Sequence, residues 1–153
     1  MKHRWAALLV VLALSALAPR SAAAQGTPPP SRERAAGFEL RQNYPNPFNP
    51  ETHIPFALGN EAQCTDPGKR YRVSLRVYNV LAQPVAIPIL QGAGAPPELA
   101  GRELQNLLLP CGTYTAYWNG HYMNTTREVA SGIYIYRLEV DGQVQARKMI
   151  VTK

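Results

Sequence analysis

Cys64 and Cys111 are the only cysteines in this chain of 153 residues, which also has three histidines and ten carboxylates. Two thiols can close a disulfide or ligate a metal, but no histidine stands at zinc-ligand spacing from either, so a metal site lacks ligands. Ser131 has no glycine-framed elbow and no base nearby in sequence. Glu51, Glu61, Glu98, Glu103, Glu128 and Glu139 are scattered without the spacing of an acid/base dyad. Asp66, Asn119-Gly120 and Asp141-Gly142 lack the dense Asp/Asn series of a calcium loop, and His53 and His121 are isolated. These residues predict that the chain is not an enzyme, holds no metal or cofactor and has no small-molecule substrate.

Which chemistry the cysteines adopt depends on the compartment, and the first residues address it. Lys2, His3 and Arg4 precede an apolar run from Ala6 to Ala18, and Ala22-Ala23-Ala24 offers a small-residue cleavage site before Gln25. The run of about 13 residues is shorter than a spanning helix needs, so residues 1–24 read as a secretory signal peptide. No cysteine follows the cleavage site for lipid attachment. Export places Cys64 and Cys111 in an oxidising compartment, where a lone pair closes. That disulfide would close a loop of about 47 residues and contribute up to about 4 kcal/mol in the chain-entropy account.

The formal charge of +6 falls to about +3 once Lys2, Arg4 and Arg20 are removed. The remaining cations are spread along the chain rather than gathered in a stripe, which predicts no nucleic-acid partner. Residues 25–37, rich in Pro, Ser, Ala and Arg, read as a flexible leader, and residues 38–153 as one domain.

That domain opens on a corner. Asn43-Tyr44-Pro45-Asn46-Pro47-Phe48-Asn49-Pro50 fixes φ at each proline and pushes Tyr44, Asn46 and Asn49 out of the helical region. Phe48 is its one large apolar side chain and is expected in the core. Alternation then predicts strands over 52–58, with Ile54, Phe56 and Leu58 on one face, and over 71–78, with Tyr71, Val73, Leu75 and Val77 inward. Pro84 to Leu90, carrying two prolines, can only be an edge strand. Glu98 to Leu109 suggests a short helical turn, and Gly112 to Trp118 a strand with Tyr114, Ala116 and Trp118 inward.

Ile133 to Val140, Asp141-Gly142 and Gln143 to Val151 read as a terminal hairpin on a type I′ turn. Val144 and Ala146 share one parity and Met149 and Val151 the other, which predicts a bulge near Arg147-Lys148. About seven short strands, Pro/Gly-rich connections and no long helix give an all-β fold class, an immunoglobulin-like antiparallel β-sandwich.

Five stretches in order carry a family resemblance. They are Gln42 to Pro50; Val77-Tyr78-Asn79-Val80-Leu81-Ala82-Gln83; Leu109-Pro110-Cys111-Gly112 with Trp118-Asn119-Gly120; Val129 to Leu138; and Lys148-Met149-Ile150-Val151-Thr152-Lys153. Together they resemble the type A C-terminal sorting domain of type IX secretion cargo, which is itself similar to the immunoglobulin-like module of the flagellar hook-cap protein. The resemblance spans roughly Phe38 to Lys153. It implies a docking module whose terminal hairpin is read by outer-membrane secretion machinery, with Gly132, Tyr134, Lys148, Met149, Val151 and Lys153 as the recognised positions. Asn43, Pro45, Asn46, Pro47, Phe48, Asn49, Pro50 and Trp118 are its structural motif. Ala82 stands where the family usually has Gly, Asn119 where Asp is common, and Cys111 where Ala is usual.

The resemblance implies passage through the inner membrane to the periplasm and then to the cell surface or medium. It also implies a cargo domain ahead of the module, for which the short leader leaves no room. The alternatives are a periplasmic or envelope domain that binds another envelope protein, or a cargo-less remnant of a larger secreted protein. Lys148 reads either as a solvated edge residue or as part of the export signal.

Overall fold

Period-two alternation becomes nine strands in the computed structural model, which describes residues 37–60, 64–123 and 125–153. The expected signal peptide and residues 25–36 of the expected leader lie outside the described residues. Gly37, assigned to that leader, already belongs to the fold: its carbonyl accepts the Gly59 amide at 2.7 Å.

The strands are β1 (Phe38–Leu40), β2 (Thr52–Leu58), β3 (Arg70–Tyr78), β4 (Pro84–Ala86), β5 (Ile89–Leu90), β6 (Leu107–Pro110), β7 (Gly112–Trp118), β8 (Gly132–Val140) and β9 (Gln143–Val151). They form two antiparallel sheets. One runs β1-β2-β7-β5; the other runs β4-β3-β8-β9, with β6 also paired to β3. No helix occurs among the described residues.

The core follows the alternation. Ile54, Phe56, Leu58, Tyr114, Ala116 and Trp118 of the first sheet are buried, as are Tyr71, Val73, Leu75, Val77, Tyr136 and Leu138 of the second. Phe56 stacks on Tyr114 with ring centroids 5.6 Å apart, and Phe48 meets Trp118 edge-on at 5.5 Å.

Three expectations are corrected. Pro84 to Leu90 is not one strand: β4 edges the second sheet and β5 the first, so the chain changes sheets at Ile87-Pro88. The helical turn over Glu98 to Leu109 is absent. A turn closes at Pro96 to Ala100, Leu90 then bonds Gly101 and Arg102, and β6 follows with Leu107 and Leu109 buried and Leu108 53% exposed. A run of three leucines satisfies a two-residue period as readily as a helical stripe, and the unpaired edge of β3 takes the extended form.

The third correction concerns β9. Its register with β8 runs without a break from Gly132 opposite Val151 to Val140 opposite Gln143, so there is no bulge at Arg147-Lys148. The inward parity is odd throughout, and Gln145 and Arg147, rather than Val144 and Ala146, turn toward the opposite sheet. The irregularity lies instead between Val77 and Tyr78, where β3 meets β4.

Candidate functional site: the C-terminal hairpin and the proline corner

Asp141-Gly142 folds the hairpin, with φ of 50° and 84° as a type I′ turn requires. Asp141 Oδ1 also accepts the Arg72 amide at 2.9 Å, which fastens the tip to β3. At the other end, β9 runs against the proline corner. The Phe48 amide donates to the Ile150 carbonyl at 3.0 Å, Thr152 N–H donates to the Phe48 carbonyl at 3.0 Å, and Asn46 Oδ1 accepts the Ile150 amide at 2.9 Å. Phe48 and Val151 form a parallel bridge. The corner therefore supplies the last turn of β9 with a partial neighbouring strand.

The corner itself hangs on Asn43, which is 2% exposed. Its Nδ2 donates to the Pro45 carbonyl at 3.1 Å and to Thr52 Oγ1 at 2.9 Å, and its backbone N–H donates to the Tyr136 hydroxyl at 3.0 Å. The Tyr136 hydroxyl in turn donates to the Arg41 carbonyl at 2.9 Å. Burial pushes the Tyr136 phenol above its ordinary value, opposed by the Asn43 amide and the Arg147 charge. The peptide bonds preceding Pro45, Pro47 and Pro50 are cis.

Gln145 and Arg147 were not among the expected site residues, and they tie the two sheets together. The outward backbone groups of β1 have no strand beside them. Gln145 Nε2 donates to the Phe38 carbonyl at 2.9 Å, Gln145 Oε1 accepts the Leu40 amide at 2.7 Å, and Arg147 Nε donates to the Leu40 carbonyl at 2.6 Å. Polar side chains at inward parity are the sequence signal that could have found them, since a buried amide or guanidinium must meet partners.

The expected recognition residues fall into three environments. Tyr134, Met149 and Val151 are buried, with Tyr134 Oη donating to the Ala130 carbonyl at 2.9 Å and its ring 6.0 Å from Trp118. Gly132 is half-buried at the start of β8. Lys148 and Lys153 face outward. Lys153 Nζ donates to Glu128 Oε2, and that hydrogen bond, with the charge behind it, holds the Glu128 carboxyl below its ordinary value. The carbonyl of Lys148 accepts Gln42 Nε2 at 3.1 Å.

Cys64 and Cys111 are bonded, with Cα atoms 5.5 Å apart, joining the loop after β2 to the residue between β6 and β7. Among the described residues no group of three or more His, Cys, Asp and Glu side chains could hold a metal ion.

The outer face of β3, β8 and β9 mixes exposed apolar side chains with charges of both signs, Glu139 standing opposite Val144 and 3.8 Å from the Arg137 guanidinium. Adjacent rows across the strands place Arg76 beside Arg137 and Ala146, Tyr78 beside Ile135 and Lys148, and Ile133 beside Ile150. Ile133, Ile135 and Val144 are 47%, 40% and 42% exposed. A depression of about 290 Å³ opens there between Tyr78, Val80, Ile135, Arg137 and Ala146.

No protein-family model matches the chain. No curated protein matches it either. Among solved structures, the chain is similar to Pseudomonas fluorescens alkylpurine DNA glycosylase AlkC bound to DNA containing an abasic site analog, at 13% identity and a TM-score of 0.41. The match covers 76% of this chain and 31% of that one, so this chain spans less than a third of that protein's length. The neighbour is an enzyme and is bound to DNA, against the two expectations that this chain is not an enzyme and has no nucleic-acid partner. Both are withdrawn. A TM-score of 0.41 in turn carries no argument that this chain acts on DNA or binds it.

Proposed function

We propose that residues 38–153 are an immunoglobulin-like module of the type IX sorting kind, exported by a signal peptide in residues 1–24 and delivered to the cell surface or medium. Outer-membrane secretion machinery reads the C-terminal hairpin, through its outward face and the Lys148 to Lys153 end. One observation carries the reading: the two motifs at opposite ends of the module, Asn43 to Pro50 and Lys148 to Lys153, meet as one unit through Phe48, Asn46, Ile150 and Thr152. A hairpin whose end is built by the corner is a rigid object to recognise, and its buried residues Tyr134, Met149 and Val151 give it shape while Lys148 and Lys153 give it charge.

Fractionation of the native cell tests it. The full chain should appear at the surface or in the medium with its first residues removed. Recovery only as soluble periplasmic protein would favour an envelope domain that binds a partner in place.

A further inference from the structure

The edges of the two sheets are not treated alike. At β1 the outward groups of Phe38 and Leu40 are taken by Gln145 and Arg147. At β5 the Leu90 amide and carbonyl are taken by Arg102 and Gly101, and at β4 the Val85 carbonyl accepts the Met123 amide. On β9 the odd residues pair with β8, so the even residues turn their backbone groups outward. Those of Ile150 are taken by Asn46 and Phe48, and the Lys148 carbonyl by Gln42. The N–H and C=O of Val144 and Ala146, and the N–H of Lys148, have no partner among the described residues, and Ala146 is exposed. This open window is bounded by the Asp141-Gly142 turn at one end and the proline corner at the other. Because Gln145 and Arg147 cap β1 from its open side, β9 is the outermost strand there, and an unblocked outermost strand is a template for pairing.

We propose that β9 pairs antiparallel with β9 of a second copy, about a two-fold axis at Gln145, to form a dimer with one continuous sheet. In that register Val144 stands opposite the partner's Ala146, and Ala146 opposite the partner's Val144. Four hydrogen bonds then close and none of these backbone groups stays open. The ladder stops where Gln42 already holds the Lys148 carbonyl, and each proline corner lies beyond the tip of the other hairpin. The outer face is its own complement under this two-fold, as an isologous contact requires. One row across the joined sheet reads Glu139, Val144, the partner's Ala146, the partner's Arg137, and its symmetry mate reads the same in reverse. Opposite charges end each row over an apolar centre. The row ends are about 14 Å apart at Cα, three strand spacings, a gap that extended Arg and Glu side chains narrow over the small Ala146. With Arg137 3.8 Å from Glu139 of its own chain, the four charges alternate in sign around the axis. Centring the pairing on Ala146 instead would put Arg137 and the partner's Arg137 in one row, take the Lys148 carbonyl from Gln42, and bring each corner abreast of the other's turn. The dimer does not depend on the export reading, and the Lys148 side chains stay on its outer face.

The test is sedimentation velocity on the chain purified from its native cell, from about 5 to about 500 μM, where contacts below the standard interface size dissociate. A monomer-to-dimer shift is expected across that range, with hydrogen exchange at the Val144 and Ala146 amides slowing as the dimer forms. Ala146→Pro removes an outward N–H and leaves the β8 ladder intact, so it should keep the monomer's thermal midpoint and abolish the dimer. Arg137→Glu and Glu139→Arg each put like charges at the ends of every row and should each weaken self-association about tenfold. An equimolar mixture of those two variants should recover the dimer, because rows of opposite charge form again between unlike chains. A chain that stays monomeric throughout overturns the proposal. So does a dimer that A146P leaves intact, or a charge mixture that does not recover it. Val144 and Ala146 amides already protected in the monomer also overturn it, and assign the edge to a segment of the same chain. If A146P fails to fold, the charge mixture decides alone.

Discussion

The Oδ1 of Asn46 accepts the backbone amide of Ile150 at 2.9 Å, joining positions 104 residues apart. With the Phe48 amide on the Ile150 carbonyl, it makes the proline corner the neighbour of the last residues of β9. The last strand is therefore folded against the corner that follows β1. Removing Lys148 to Lys153 would strip Met149 and Val151 from the core along with any signal.

Asn46→Ala should lower stability by about 1 kcal/mol, the ordinary net value of one hydrogen bond. Asn46→Asp keeps the acceptor and should cost less. Urea denaturation of the two variants checks the ordering.

Phe48→Ala should be far more damaging. The ring is 1% exposed and lies edge-on to Trp118, so truncation should cost about 3–5 kcal/mol by cavity formation. Amide exchange should quicken at Ile150 and Thr152 in the same variant, since both lean on this segment.

Gln145→Ala should cost about 1–3 kcal/mol, because it leaves the Leu40 amide and the Phe38 carbonyl buried without partners. Gln145→Glu should not rescue it, since a carboxylate cannot donate to the Phe38 carbonyl. Faster exchange at Leu40 is the local readout.

Much of the fold was legible because its strands bury one face and wet the other. β2, β7 and β8 follow the alternation closely. The failures share a cause: the deciding partner was distant in sequence. Leu107 to Pro110 is extended because β3 has an open edge there, and nothing local distinguishes that from a helical stripe. The parity of Val144 and Ala146 suggested a bulge near Arg147-Lys148 because the partners of Gln145 and Arg147, Phe38 and Leu40, lie more than a hundred residues earlier. At the candidate site the motifs were legible individually, but their meeting was not, since proline geometry fixes the corner's shape and leaves open what it packs on.

Gly120→Ala should unfold the corner more than its size suggests. Gly120 has φ of 73°, and an added Cβ would run into the Pro50 carbonyl. Gly101 has a similar φ of 78° but nothing within 4 Å. Gly101→Ala should therefore cost only the left-handed penalty of about 1–2 kcal/mol, and Gly120→Ala clearly more. Thermal midpoints of the pair isolate the steric part.

Stability should fall at alkaline pH. Burial raises the Tyr136 phenol above its ordinary value of 10.0, and Tyr114 and Tyr134 are raised by the same cause. The folded chain thus holds these protons more tightly than the unfolded chain does. The contribution is complete below 10.0 and is lost as pH rises through the higher folded values. Urea midpoints recorded from neutral pH to about 11 should decline, and less steeply in Tyr136→Phe.

The most direct measurement is the location of the full chain carrying Lys148→Glu and Lys153→Glu in its native cell, compared with the unaltered chain. Both side chains point outward, so the core is untouched. The account predicts that the doubly altered protein is processed and folded, with a thermal midpoint lowered only by the loss of the exposed Lys153–Glu128 pair, yet accumulates in the periplasm while the unaltered chain reaches the surface or medium. Equal arrival of both at the surface would contradict it.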